Sequence, residues 1–157
     1  MKEVERAYLA GLFDGEGCAS VVYSQNMRMT KQGMALYQTF SVYCIISNDD
    51  RRVLQEVRFL SGNGGIYKQK TSYTFRVCKT SDVIEIIETI KPYIRVKKQD
   101  LQNLESAARF IMKLRGLSTR HTWTEEETKK FQEYVWQSKA MKVGGRRGRP
   151  RKHPLKQ

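Results

Sequence analysis

The chain has 157 residues, enough to bury one hydrophobic core and at most a small appendage. It carries 29 lysine and arginine residues against 16 aspartate and glutamate, a net charge of +13 at pH 7 that points to a polyanionic partner. Three cysteines (Cys18, Cys44 and Cys78), widely spaced and odd in number, fit neither a disulfide framework nor a zinc site, and no apolar run is long enough to span a membrane. The charged start Met1-Lys2-Glu3-Val4-Glu5-Arg6 is unlike a signal peptide, so the expected location is intracellular, in the cytoplasm or an organelle, with no membrane partner.

In chain order, the first element is a helix that stops abruptly. Within Tyr8-Leu9-Ala10-Gly11-Leu12-Phe13-Asp14-Gly15-Glu16-Gly17-Cys18, Leu9, Leu12 and Phe13 recur at the spacing of a buried helical face. Ala7, Gly11 and Gly15 fall four residues apart and form a stripe of very small side chains on another face. Such a helix can press its backbone against a second helix. Packed against its own symmetry mate, it would bring two copies of Glu16 together.

Ala19, Val21 and Tyr23 then alternate with Ser20, Val22 and Ser24, the period of a half-buried strand, and Gln32-Gly33 supplies a turn. In a second strand Phe40, Val42, Cys44 and Ile46 share one face, with Thr39, Ser41, Tyr43 and Ile45 on the other. Asn48-Asp49-Asp50 caps a helix carrying Val53, Leu54, Val57 and Leu60, which ends at Gly62-Asn63-Gly64-Gly65. A hairpin follows, then a helix capped by Ser81 and ended by Pro92, and another from about Lys98 to Leu114. This order predicts an α+β fold: an αββαββα core with a four-stranded antiparallel sheet covered by helices on one face, plus C-terminal helices.

The other sheet face is expected to carry Ser20, Val22, Ser24, Asn26, Arg28, Thr39, Ser41, Tyr43, Tyr67, Gln69, Thr74 and Arg76. A merely solvated face mixes charges of both signs, whereas this one has no acidic side chain. Hydrogen-bonding groups mixed with arginine and tyrosine suit base edges and phosphates in a major groove, so double-stranded DNA is the expected partner.

Beyond Gly116 the character changes. Thr124 and Glu127 form a capping box ahead of Phe131, Tyr134 and Val135, which predicts a further helix. From Met141 the chain is rich in Gly, Pro and Arg with no apolar pattern. Within it, Arg147-Gly148-Arg149-Pro150 is similar to the core of an AT-hook, so Arg147 and Arg149 either enter an A·T minor groove or belong to a nonspecific electrostatic tail. The expected division is a core over 1–116, a helical extension over 117–140 and a basic tail over 141–157.

The run Leu9-Ala10-Gly11-Leu12-Phe13-Asp14-Gly15-Glu16-Gly17 resembles the LAGLIDADG motif of homing endonucleases almost letter for letter, with departures at Phe13, Gly15 and Glu16. The resemblance implies the αββαββα core over about residues 3–115. A single motif copy implies the homodimeric type, with Ala7, Gly11 and Gly15 in the interface and a near-palindromic DNA target. It also implies a site-specific endonuclease that makes a staggered double-strand break.

Hydrolysing a phosphodiester needs a positioned water, stabilisation of charge on phosphorus and help for the leaving oxygen, all of which carboxylate-bound Mg²⁺ supplies, with Mn²⁺ or Ca²⁺ able to substitute in binding. By the resemblance the metal position falls on Glu16, with Gly15 beside it, whereas Asp14 reads as a structural hydrogen-bonding residue. The family's central lysine falls on Lys97, with Lys98 as the alternative. Asn48 fits the water-ordering position by strand parity, although relatives often have glutamine there. Arg51 or Arg52, with Arg52 favoured, reaches towards the scissile region. Two other functions remain open on the same fold: an RNA maturase that assists intron splicing, and a DNA-binding regulator without cleavage.

Overall fold

A computed structural model of the chain describes residues 1–31, 33–117 and 123–143. The elements are α1 (Glu3–Glu16), β1 (Gly17–Thr30), β2 (Gly33–Asn48), α2 (Arg51–Ser61), β3 (Gly65–Lys68), β4 (Tyr73–Val77), α3 (Thr80–Ile90), a 3₁₀ turn (Lys91–Tyr93), α4 (Lys98–Leu117) and α5 (Glu125–Val143). This is the expected α+β order with its C-terminal helices.

The four strands form one antiparallel sheet in the order β1-β2-β4-β3. Side chains alternate across it, so Ala19, Val21, Phe40, Val42, Cys44, Ile46, Phe75 and Val77 all point to one side and are buried. Leu9, Ala10 and Phe13 of α1, Leu54 and Val57 of α2, Ile87 and Ile90 of α3, and Leu101, Leu104 and Ile111 of α4 cover them. Burial of Cys44 pushes its thiol up to about 12, so it packs as a small apolar group.

The turn from α1 into β1 takes a single residue. Gly17 has an ordinary extended backbone (φ −82°, ψ 159°), and its N–H donates to the Phe13 carbonyl. A Cβ at position 17 would overlap the Phe13 carbonyl and ring, so glycine is required here by close approach rather than by a left-handed conformation. Gly62 is the opposite case: it closes α2 at φ 71°, where a side chain is strained.

One local expectation is corrected. Ser81 does not cap α3: the helix starts at Thr80, two residues earlier than a Ser81 cap would set it, Lys79 holds the cap position, and the Ser81 hydroxyl donates to Asp82. In the outer part of the first hairpin the alternation continues but the burial does not. Tyr23 and Phe40 still pack on the core, but Met27, Met29, Met34 and Leu36, on the same side of the sheet, are exposed. The hairpin is simply longer than the helical layer behind it, so an apolar side chain there has nothing to meet.

The expected capping box is formed, with Thr124 N–H donating to Glu127 and Glu127 N–H to the Thr124 hydroxyl. From it α5 packs on α4 and β1 through an aromatic cluster in which Trp123 stacks on Phe40 (centroids 3.4 Å apart) and Phe131 meets Phe40 edge-on at 5.2 Å. Phe131 is fully buried. Phe131→Ala is expected to cost about 3–5 kcal/mol and to lower Tm by roughly 6 °C or more, read by thermal unfolding. An unchanged Tm would mean that α5 contributes little to the fold.

Candidate functional site

Asp14 organises the site. Its side chain accepts three backbone N–H bonds from a segment more than 80 residues away: Arg95 (2.7 Å) and Val96 (3.2 Å) on Oδ2, and Lys97 (2.9 Å) on Oδ1. Burial pushes the Asp14 carboxyl up, but the hydrogen bonds from Arg95, Lys97 and Val96 and the nearby Lys97 charge outweigh it and hold the group below the usual carboxylate range.

Pinned in this way, Lys97 turns its ammonium onto the end of α1. Nζ donates to the carbonyls of Gly17 (2.7 Å), Phe13 (3.1 Å) and Gly15 (3.4 Å). The last turn of α1 contains no basic residue of its own, so the cation that its negative end favours arrives from the loop before α4. An ammonium has three N–H groups, and all three are directed at carbonyls. Lys98 is exposed and makes none of these contacts.

Glu16, the last residue of α1, is exposed, and its carboxylate makes no hydrogen bond or ion pair among the described residues. The fold therefore brings Glu16, Gly15 and Lys97 to one edge. Asn48 reaches that edge too, since β2 pairs Ile46 with Gly17 and runs two residues further. Its Oδ1 accepts from Asp50 N–H at 2.8 Å, a turn that starts α2. Asp50 is the α2 cap and also grips the Arg52 guanidinium at 2.7–3.1 Å. Arg52 is thus tied to the helix start though 87% exposed, whereas Arg51 makes no ion pair among the described residues and is the freer cation.

The small-residue stripe lies open. Ala7, Gly11 and Gly15 are exposed, a Cβ added at Gly11 or Gly15 would meet nothing within 4 Å, and exposed Val4 and Tyr8 lie alongside.

On the uncovered sheet face, Ser20, Val22, Ser24, Asn26 and Arg28 pair across the hairpin with Tyr43, Ser41, Thr39, Tyr37 and Ala35. None of the four strands contains an aspartate or glutamate. Arg28 lies 5.5 Å from the Tyr37 ring, and Arg76 lies 5.5 Å from the rings of both Tyr43 and Tyr67. Two expected positions differ from their neighbours. Thr74 is 6% exposed and hydrogen-bonded to Ser47, so it is sealed by its own sheet. Gln69 lies past the end of β3, in a turn where its N–H donates to the Ser72 carbonyl. Tyr37 and Ser47 share the face and were not expected there, although continuing the same two-residue period by one step would have found them. Arg147 and Arg149 lie outside the described residues.

Among the described residues no three of His, Cys, Asp and Glu come together, and no helix is long and apolar enough to cross a membrane.

Comparison with known proteins agrees with this fold. No curated protein matches the chain in sequence. Among solved structures, the homing endonuclease I-CvuI, crystallised with a DNA target in the presence of magnesium, superposes with a TM-score of 0.67 at 15% identity, over 96% of this chain and 87% of its own. The archaeal intron-encoded I-Vdi141I, complexed with DNA, gives 0.67 at 17% identity over 98% and 91% of the two chains. The meganuclease I-AabMI, bound to uncleaved DNA, gives 0.61 at 21% identity over 86% of this chain but 43% of its own. The sequence profile of the LAGLIDADG endonuclease matches residues 9–108, well over half of the chain, and the protein belongs to that family.

Proposed function

We propose that this LAGLIDADG endonuclease acts on double-stranded DNA as a homodimer, making a staggered double-strand break at a long, near-palindromic site. The observation that carries this reading is the open stripe of Ala7, Gly11 and Gly15, which leads directly to an exposed carboxylate, Glu16. Two α1 helices packed along that stripe set two copies of Glu16 side by side under two scissile phosphates. The length match to I-AabMI supports it, since that chain has room for a second unit of this size.

The donor set fits a hard divalent cation. One copy offers the Glu16 carboxylate and the Gly15 carbonyl, which has a lone pair left beside its long bond to Lys97. Both are oxygens, as Mg²⁺ prefers, and a second copy with the phosphates supplies the remaining ligands. When bound, Mg²⁺ activates a water and offsets charge on the transferring phosphoryl group. Lys97 fixes the end of α1, and with it Glu16, and sets a positive charge beside the phosphate. Asn48, whose amide group lies at the same edge, orders water, and Arg51 or Arg52 contacts the flanking backbone.

The basic, acid-free sheet face holds the half-site. The 14 residues of β1 span about 43 Å at ~3.3 Å per residue, the length of roughly 12 base pairs. The basic tail with Arg147 and Arg149 adds electrostatic contact with the DNA.

The test is incubation with Mg²⁺ and a library of random duplexes, followed by sequencing of the cut ends. Metal-dependent staggered cuts in one long, near-palindromic sequence are expected. If no duplex is cut, and RNA is bound in preference to DNA, the reading is overturned. The dimer has its own test. Gly11→Leu places a side chain in open space within one chain, so each subunit still folds with an unchanged far-UV circular dichroism spectrum, while sedimentation is expected to show monomers and cleavage falls by about 100-fold, in keeping with the loss of a well-oriented site. A variant that still sediments as a dimer through the same surface would remove α1 from the interface.

A further inference from the structure

The uncovered sheet face contains one arginine held unlike the rest. Arg76 sits in β4, flanked by Ile45 on β2 and Gly65 on β3. Its guanidinium carbon is 5.5 Å from the rings of Tyr43 and Tyr67 alike. Gly65 makes that bracket possible, because a Cβ there would come within 2.9 Å of the Tyr67 hydroxyl and 3.1 Å of its ring. The Arg76 Nε is buried without a hydrogen-bond partner, and the rest of the fork finds none among the described residues either. An arginine with a structural task is normally paired with a carboxylate, yet none of the four strands has one.

We propose that Arg76 reads a guanine in each half-site, close to the point of cleavage, and that Tyr43 and Tyr67 hold its guanidinium plane in the reading position. The inference rests on the sheet being the DNA-binding face. A planar, immobilised fork whose outer donors are free matches the O6 and N7 acceptors of guanine in the major groove, and its rotamer freedom is already spent before DNA arrives. Its place follows from the register. Arg76 pairs with Ile45, Ile45 with Cys18, and Cys18 lies two residues after Glu16. That is about 10 Å across the sheet and ~7 Å along it, or roughly four base pairs from the cleavage point. Arg28 differs: one ring, Tyr37, lies beside it, and it is exposed at the far end of the hairpin.

The test is selection from a random duplex library by binding in Ca²⁺, with sequencing of the bound DNA, for the wild type, Arg76→Lys and Arg76→Gln, each checked for an unchanged Tm. The wild type is expected to select a G·C pair about four positions from the cleavage point in each half-site. Arg76→Lys keeps the charge but loses the fork, and should weaken that preference about 10- to 100-fold while other positions hold. Arg76→Gln should shift it towards A·T, since an amide matches adenine. Tyr67→Leu should relax the same position alone.

Equal weakening for all sequences with Arg76→Gln and none with Arg76→Lys would mark a phosphate contact and overturn the proposal, as would a wild type that selects no G·C pair there. A wild type that shows the preference but cuts nothing in Mg²⁺ would leave Arg76 as the reader and sink the endonuclease reading instead.

Discussion

Glu16→Gln is expected to abolish cutting of both strands while leaving the protein folded and bound to its DNA. The amide keeps the shape of the side chain and removes its charge, so a cation held at the proposed dimer axis would lose the one carboxylate that each copy offers it. Metal-derived stabilisation of transition-state charge is worth several kcal/mol, which sets the expected loss at about a thousandfold or more in single-turnover cleavage. Binding should move the other way when metal is withheld. The Glu16 carboxylate is exposed and repels phosphates, so the variant in EDTA should hold DNA as tightly as the wild type or slightly tighter. Gel-shift and cleavage assays on the same preparation separate the outcomes. Loss of binding together with activity would make Glu16 a structural residue, and retained cleavage would remove it from the metal site.

The second large effect is expected at the joint between α1 and the segment before α4. Lys97→Met should lower cleavage by about a hundredfold or more, because the carbonyls of Phe13, Gly15 and Gly17 lose their shared donor and the end of α1 loses the cation its dipole favours. Asp14→Asn tests the same joint from its other side. The carboxylate accepts three N–H bonds, whereas an amide necessarily turns a donor towards at least one of them, at a cost of about 1–3 kcal/mol. Tm should therefore fall, and cleavage should fall with it although the side chain at position 14 touches no substrate.

A pH series distinguishes this from a general loss of packing. The folded-state pKa of Asp14 lies below its ordinary value, so the stability it contributes is present above about pH 3.9 and is lost as the pH drops through the depressed pKa. The wild type should therefore lose more stability on acidification than Asp14→Asn, and the two curves should converge at low pH. Parallel curves would mean that the three hydrogen bonds do not depend on the charge.

Much of this protein was legible locally. Helical spacing identified the buried side of α1 through Leu9 and Phe13, the two-residue period sorted Val42, Cys44 and Ile46 from Ser41 and Tyr43, and Thr124 with Glu127 marked the start of α5. These signals depend on residues within about one helical turn or two strand positions of each other, where geometry repeats whatever the rest of the chain does. The α3 start was misplaced because Ser81 is a good cap by type, but its hydroxyl finds Asp82 instead. A period says only which side chains share a face and not whether anything lies opposite: Met27 and Met34 keep the alternation of the inner hairpin and yet face solvent.

The motif also announced Glu16, the small-residue stripe and a structural part for Asp14, but what surrounds them belongs to long-range contact. Asp14 finds its partners at Arg95–Lys97, and Lys97 ends on the carbonyls of α1 rather than in open solvent. Arg76 is bracketed by Tyr43 and Tyr67 because the sheet order β1-β2-β4-β3 sets β4 between the strands that carry them. A chain specifies its elements through neighbours along the backbone. Which side chains then close around a carboxylate or a guanidinium depends on how those elements pack, since burial and strand order bring together residues that have no relation in sequence.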